Sequence, residues 1–221
     1  MKRIETAVFC DFDGTISRRD VGYNMFHHFS GGKNDVLLPA WMEGTLSTRD
    51  CLRQEAAMVH ASPEEILTFL DSFEIDEYFV SFENRCRKAG VPVIVMSEGL
   101  DFYIKRVLGR YGLEHLPLMC NEGFLENGTI RIEFPHKNHI CRTCGNCKGE
   151  RIAEYRAVHP GVRAVFVGDG YSDACAAREA DLLFAKKDLR TYCEKHNIRY
   201  NSYGTFKDVA GELHRLGFLA N

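Results

Sequence analysis

The sequence predicts an α/β protein in which a parallel sheet covered by helices is interrupted once by a block that is helical only. Three observations carry this. Short apolar runs at residues 7–10, 91–96, 164–167 and 181–185 have the continuous hydrophobicity of parallel strands buried on both faces. The first three run into polar residues and glycine, at the strand end where open α/β sheets bind ligands. From about residue 18 to 88 the alternation of strand and helix stops.

At 221 residues and 45% hydrophobic content the chain is expected to form one large domain, or a core with an insertion. A net charge of -3 and a pI near 6.3 give no electrostatic ground for a nucleic-acid partner. No apolar run reaches membrane-spanning length, and residues 1–5 lead into the first strand without the apolar region of a signal peptide. The expectation is a cytoplasmic protein without a membrane partner. Nine cysteines do not suit a disulfide framework, and Cys10, Cys51, Cys86 and Cys175 lie in core-like or helical stretches, where they act as small hydrophobes.

In chain order, the first strand ends in Asp11 and Asp13, two carboxylates two residues apart, followed by a Gly14-Thr15 turn. Their repulsion is relieved by a bound cation or a shared proton, and a hard, oxygen-ligating ion such as Mg²⁺ fits best. An Asp-rich turn whose carboxylates cap amides is the alternative. Asp20 caps a helix carrying Val21, Met25, Phe26 and Phe29, broken at Ser30-Gly31-Gly32. After a short apolar stretch interrupted by Pro39, Ser47 opens a helix through Cys51, Leu52, Ala56 and Val59. Ser62-Pro63-Glu64-Glu65 is a capping box with proline at the first helical position, and a further helix over 76–89 ends at Gly90. These helices form an expected cap of residues 18–88, inserted into a core of residues 1–17 and 89–221.

The second strand ends in Ser97-Glu98-Gly99 and opens a helix over 100–111. There a hydroxyl and free amides form an anion site, or Ser97 only caps. Residues 118–125 face 129–134 across Asn127-Gly128, a hairpin signal. Lys148 opens a helix over 149–158, where the helix dipole disfavours a cation unless an anion lies nearby. The strand over 164–167 leads into Gly168-Asp169-Gly170. Asp169 is a candidate third metal carboxylate, and Asp173 is expected to orient a water or Lys148, or to cap the next helix. The strand at 181–185 and the amphipathic segment 206–216 complete the layers.

Between the hairpin and Lys148, Cys141, Cys144 and Cys147 recur at intervals of three, with His136 and His139 upstream. Cys141, Cys144, Cys147 and His136 would give a structural zinc ion four tetrahedral ligands; free thiols, an iron–sulfur cluster and a regulatory disulfide stand as alternatives.

Taken in order, Asp11/Asp13, Ser97, Lys148 and Asp169/Asp173 resemble the four motifs of the haloacid dehalogenase superfamily. The insertion behind the first motif is similar to that of its phosphoserine-phosphatase-like branch. The stretches CDFDGTI, SEGLDFYI, FPH with the cysteine loop ending in CK, GDGYSDACAA and ADLLFAK are similar to the methionine-salvage phosphatases, which act on 2-hydroxy-3-keto-5-methylthiopentenyl 1-phosphate. The resemblance implies a Rossmann-like doubly wound core with a helical cap, and a Mg²⁺-dependent phosphatase of small phosphate esters. It makes Asp11 the nucleophile that becomes an aspartyl-phosphate and Asp13 the acid and base. It has Asp11, Asp169 and the Asp13 carbonyl hold Mg²⁺ with Asp173 behind them, and Ser97, Lys148 and the amides near Asp13 and Glu98 hold the phosphate. Glu98 stands where relatives commonly have glycine; it either points away, which is favoured, or reads a cationic group. Asp20 and Arg53 are similar in position to the residues that phosphoserine phosphatases use for the substrate ammonium and carboxylate. Phosphoserine and phosphocholine-type substrates are therefore the alternatives, with a non-catalytic metal-binding interaction module as an alternative of another class.

Overall fold

The computed structural model describes residues 5–126 and 128–219. Its centre is β1, Thr6–Asp11, paired on both edges and buried along its whole length because helices cover both faces of the sheet. β2, Val93–Leu100, lies parallel on one side, with Asp11 opposite Met96; β5, Arg163–Gly168, lies parallel on the other, with Cys10 opposite Val167. The remaining strands are β3 (Leu118–Glu126), β4 (Thr129–Glu133), β6 (Leu182–Ala185) and β7 (Asn201–Ser202). The order is β4-β3-β2-β1-β5-β6-β7, parallel except for the antiparallel β3–β4 pair. The chain builds outward from β1 in one direction and then returns to build outward in the other. The carboxyl ends of β1 and β5 therefore open into a crevice, with Asp11 ending one strand and Asp169 following the other.

Alternate residues of these strands feed two cores, as the two-residue period of a strand requires. Val8, Cys10, Val95 and Val167 face one side, beneath α5 (Phe79–Lys88), α6 (Asp101–Gly109) and α10 (Phe206–Arg215). Ala7, Phe9, Ile94 and Phe166 face the other, beneath α7 (Lys148–Val158), α8 (Ala174–Glu179) and α9 (Lys187–His196). The result is a three-layer α/β/α body. Among the described residues no helix is long and apolar enough to cross a membrane.

Between β1 and β2 run α1 (Val21–Ser30), α2 (Leu38–Met42), α3 (Thr48–Met58) and α4 (Pro63–Leu70), then α5. Their starts follow the sequence signals: Asp20 accepts from the Tyr23 amide at 2.7 Å, Ser47 caps α3, and Ser62 with Glu65 forms a reciprocal capping box. α1 stops at Gly31, whose φ of 64° is a left-handed C-cap. α5 packs against the sheet layer, its Phe79 and Phe82 rings 4.7 and 5.0 Å from Phe206.

Two expectations need adjustment. Ser97 does not open a helix: β2 continues to Leu100 through a shift in its register with β3, and α6 starts at Asp101. Of the expected hairpin turn, Gly128 has a φ of 80°, while Asn127 lies outside the described residues.

Candidate active site

The floor of the crevice is built by the ends of β1 and β5. The backbone turns sharply after Asp11 at Gly14, with a φ of 76°; a β-carbon there would run into the Asp169 carboxylate, so glycine is required on two counts. Lys148, at the first position of α7, is fully buried and reaches in beneath Asp11, its Nζ 2.5 Å from Oδ1 of Asp11 and 2.5 Å from Oδ1 of Asp173. The other Asp173 oxygen accepts from the amides of Asp169 and Gly170 at 2.9 and 3.1 Å, which fixes the loop after β5. Asp169 in turn accepts from Thr15 Oγ1 at 3.2 Å and from Lys187 Nζ at 2.7 Å.

The electrostatics follow from this crowding. Burial, then repulsion from Asp173, pushes the Asp11 carboxyl well above the usual carboxylate range, against the pull of Lys148. Burial works against the Lys148 ammonium, but Asp11 and Asp173 outweigh it and hold this lysine above its ordinary value, so it stays charged. Carboxylate oxygens of Asp11, Asp169 and Asp173 lie within 4.8 Å of one another. Of these, Asp173 is engaged by Lys148 and two amides, and Asp11 and Asp169 offer the hard oxygen donors that fit a small divalent cation with positions left for water and a phosphate oxygen.

Asp13 faces the insertion. One of its oxygens accepts from the Val21 and Gly22 amides at 2.8 and 3.1 Å, at the N-terminus of α1. The other accepts from Ser97 Oγ at 3.2 Å and Tyr103 Oη at 2.9 Å. Burial raises its pKa, and the bonds from Gly22, Tyr103 and Val21 oppose the rise. The Tyr103 hydroxyl fits between Gly22 and Gly99, and a β-carbon at either would crowd it.

Ser97 Oγ also accepts from the Gly99 amide at 2.8 Å, which tightens the bulged end of β2. Glu98 is turned from the reacting groups toward the cysteine loop, where its Oε2 accepts from the Gly145 amide at 2.9 Å. Asn146, from that loop, donates to the carbonyls of Ser97 at 3.1 Å and Met119 at 2.9 Å.

Above the floor is a cavity of about 360 Å³, closed on its far side by α1, α2 and α3. Apolar Phe26, Leu38, Trp41 and Leu52 share this roof with the carboxyls of Asp20 and Glu55. Burial raises Glu55 to about 7, opposed by the Asn34 amide at 3.1 Å. For Asp20, enclosure in the cleft and then repulsion from Asp13 act in the same direction, but its exposed surface lets water damp the effect.

Of the residues singled out from sequence, Asp11, Asp13, Ser97, Glu98, Asp169 and Asp20 line this cavity, Glu98 with its Oε2 turned to the Gly145 amide, and Lys148 and Asp173 lie directly beneath. Arg53 does not. It lies on the outer face of α3, 59% exposed, paired with Asp50 at 3.3 Å and lying over the Phe134 ring. The cysteine cluster is also corrected: sulfur atoms of Cys141, Cys144, Cys147 and Cys175 lie within 4.8 Å of one another, and His136 is not of the group. Burial lowers the His136 pKa, and its carbonyl is engaged by Arg49. Sequence reasoning missed Tyr103, Glu55, Lys187 and Cys175. Tyr103 had a faint signal, four residues beyond Gly99 on a helix start; the others belong to helices whose facing is settled by packing.

A pair of carboxylates closing the central strand, a buried lysine beneath them and a third carboxylate across the crevice define a class. The chain belongs to the haloacid dehalogenase-like hydrolases, whose profile matches residues 8–178. It is an enzyme of the phosphatase kind within that family, whose members generally use Mg²⁺. It is 32% identical to Pdp3-interacting factor 1 of Schizosaccharomyces pombe, over 96% of both chains. It is 31% identical to the 2-hydroxy-3-keto-5-methylthiopentenyl-1-phosphate phosphatase of Bacillus cereus, over 95% of this chain and 97% of that one. In fold it is similar to a phospho-aspartyl intermediate analogue of phosphoserine phosphatase, with a TM-score of 0.65 and 20% identity over 87% of this chain and 99% of that chain.

Proposed function

We propose that the protein hydrolyses a small phosphate monoester by way of an aspartyl-phosphate on Asp11. The observation that carries this reading is the convergence of Asp11, Asp13, Ser97, Lys148 and Asp169, from four separate segments, around one cavity. The Asp11 oxygen not held by Lys148 attacks phosphorus in line with the ester oxygen, which leaves with a proton from Asp13. Asp13, now anionic, takes a proton from a water that attacks the aspartyl-phosphate, releasing inorganic phosphate and restoring both carboxyls. Raising the pKa of Asp13 by burial suits it to the first step, and its bonds to Tyr103 and the α1 amides stabilise the anion needed for the second. Lys148 and the Ser97 hydroxyl meet the phosphate oxygens. Mg²⁺, which Asp11, Asp169 and the Asp13 carbonyl would hold, would neutralise phosphate charge and so let the Asp11 carboxylate approach a phosphate dianion. Both oxygens of Asp173 are engaged by Lys148 and by the Asp169 and Gly170 amides, so its part is to position them.

Helices α1–α4 act in this reading as a cap over the leaving group, while α5 stays with the core through Phe206. The preferred substrate is the methionine-salvage enol phosphate, supported by the name of the Bacillus relative and by an apolar roof suited to a thioether. A phosphorylated amino alcohol such as phosphocholine is the second reading, favoured by the carboxyls of Asp20 and Glu55 beside Trp41. Phosphoserine is weakened by the position of Arg53. Among the described lining residues Lys187 is the cation, and it is already paired with Asp169.

A screen of Mg²⁺-dependent phosphate release over the enol phosphate, phosphocholine, phosphoserine and phosphosugars, with Asp11→Asn as blank, tests this. One ester turned over far faster than the rest, and not by the variant, supports the reading. Turnover that survives Asp11→Asn overturns the mechanism.

A further inference from the structure

We propose that Cys141, Cys144, Cys147 and Cys175 bind one zinc ion as a tetrathiolate. The four sulfur atoms come from two separate elements, the loop before α7 and the first turn of α8, yet all lie within 4.8 Å of one another. Zinc–sulfur bonds of about 2.3 Å place the corners of a tetrahedron about 3.8 Å apart, so the cluster needs only a small contraction around a single ion. A four-iron cluster would hold its ligands farther apart, and none of the four cysteines is in a disulfide.

Donors face two of the sulfur atoms, while the Glu98 carboxyl lies against Cys144. Zinc with four thiolates carries two negative charges. Cys147 is the N-cap of α7, whose 11 residues aim their free amides at this end, and the Glu150 amide donates to the Cys147 sulfur. The Cys141 sulfur is 3.5 Å from the Thr143 hydroxyl. Cys175 reaches the group because α7 and α8 come together at Gly149: a β-carbon there would lie 2.7 Å from the Cys175 carbonyl oxygen and 3.1 Å from its Cβ. Binding requires no redox step; the ion takes four thiolates, and the thiol protons pass to solvent.

The position of the loop gives the ion its use. Lys148 follows Cys147 directly, and Asp173, which grips Lys148, lies two residues before Cys175. The same loop sends Asn146 to the Ser97 carbonyl and the Gly145 amide to Glu98, and it receives the Thr48 amide of α3 on the Thr143 carbonyl at 2.7 Å. One ion thus ties the lysine, the serine turn and the root of α3 to one another without touching the reacting atoms.

The test is metal content of the full chain, purified under reducing conditions without chelator and counted by mass spectrometry. One zinc per chain is expected, kept by His136→Ala and reduced at least tenfold in Cys175→Ser. Because Cys175→Ser is able to disturb folding, the unmodified chain reconstituted with Co²⁺ supplies a second readout, the intense thiolate-to-metal absorption of a tetrahedral four-sulfur site. A metal-free chain, iron in place of zinc, or zinc lost from His136→Ala but kept by Cys175→Ser would each overturn the proposal. None of these readouts uses turnover, so they stand apart from the phosphatase reading.

Discussion

The floor and the roof of the cleft are both lined with carboxyl groups, but they treat them differently. On the floor every acid has a dedicated partner: Asp11 and Asp173 share Lys148, Asp169 has Lys187 and Thr15, and Asp13 has two amides and two hydroxyls. On the roof Asp20 holds a helix cap and Glu55 a single amide, amid apolar side chains. The floor acids are held in place by two lysines and fixed donors, and the negative charge left over is what a divalent cation would offset. On the roof the protonation of the acids is left to pH and to whatever leaving group arrives. Floor substitutions should therefore abolish turnover of every substrate, and roof substitutions should re-sort substrates and pH dependence.

The largest effect is expected from Asp11→Asn, which should lower kcat by about 10⁴-fold or more on all substrates with unchanged circular dichroism. A loss confined to one substrate would break the contrast between floor and roof.

Next is Lys148→Ala, which leaves Asp11 and Asp173 buried without their cation. Breaking a buried pair in this way costs about 3–5 kcal/mol. Both carboxyls are already pushed upward by burial, and losing the lysine pushes them further. A carboxyl whose folded pKa lies above its unfolded one keeps its full stability at low pH and loses it as pH rises through the folded value. The deficit in urea should thus be larger at pH 8 than at pH 5, and equal deficits would count against the assigned charges.

Glu55→Gln sharpens the account of the roof. The Glu55 carboxyl is raised to about 7 by burial, so the folded protein binds its proton more tightly than the unfolded chain, and stability falls as pH climbs from about 4.5 to beyond 7. The full penalty is about 3 kcal/mol as an upper bound. The glutamine variant should show a flatter urea midpoint between pH 5 and 8, gaining on the parent at the alkaline end; parallel profiles would show that Glu55 is solvated. The smallest effect belongs to Arg53→Ala, which should leave turnover within about twofold and stability within about 0.5 kcal/mol. A selective loss with phosphoserine would instead return Arg53 to the binding site.

Much of the floor was legible in the sequence because it is a matter of covalent adjacency. A residue that follows a buried strand emerges at that strand's carboxyl end, so Asp11, Asp13 and Asp169 had to meet at one crevice once their strands were parallel and adjacent. Helix caps at Asp20, Ser47 and Ser62 were equally local. The cluster of three cysteines before Lys148 was visible by spacing. Its fourth member was not, because Cys175 sits 28 positions beyond Cys147 and is brought there by the contact of two helices at Gly149. The same limit hid Glu55 and misplaced Arg53: both ride on α3, and which face of a helix turns toward a cleft is decided by packing across the chain, which leaves little mark in local spacing. Ser97 marks the boundary between the two kinds of knowledge. The sequence by itself placed it at a strand end, and only the tertiary structure, through the bulge beside β3 and the reach of Asn146, decided that it points at Asp13.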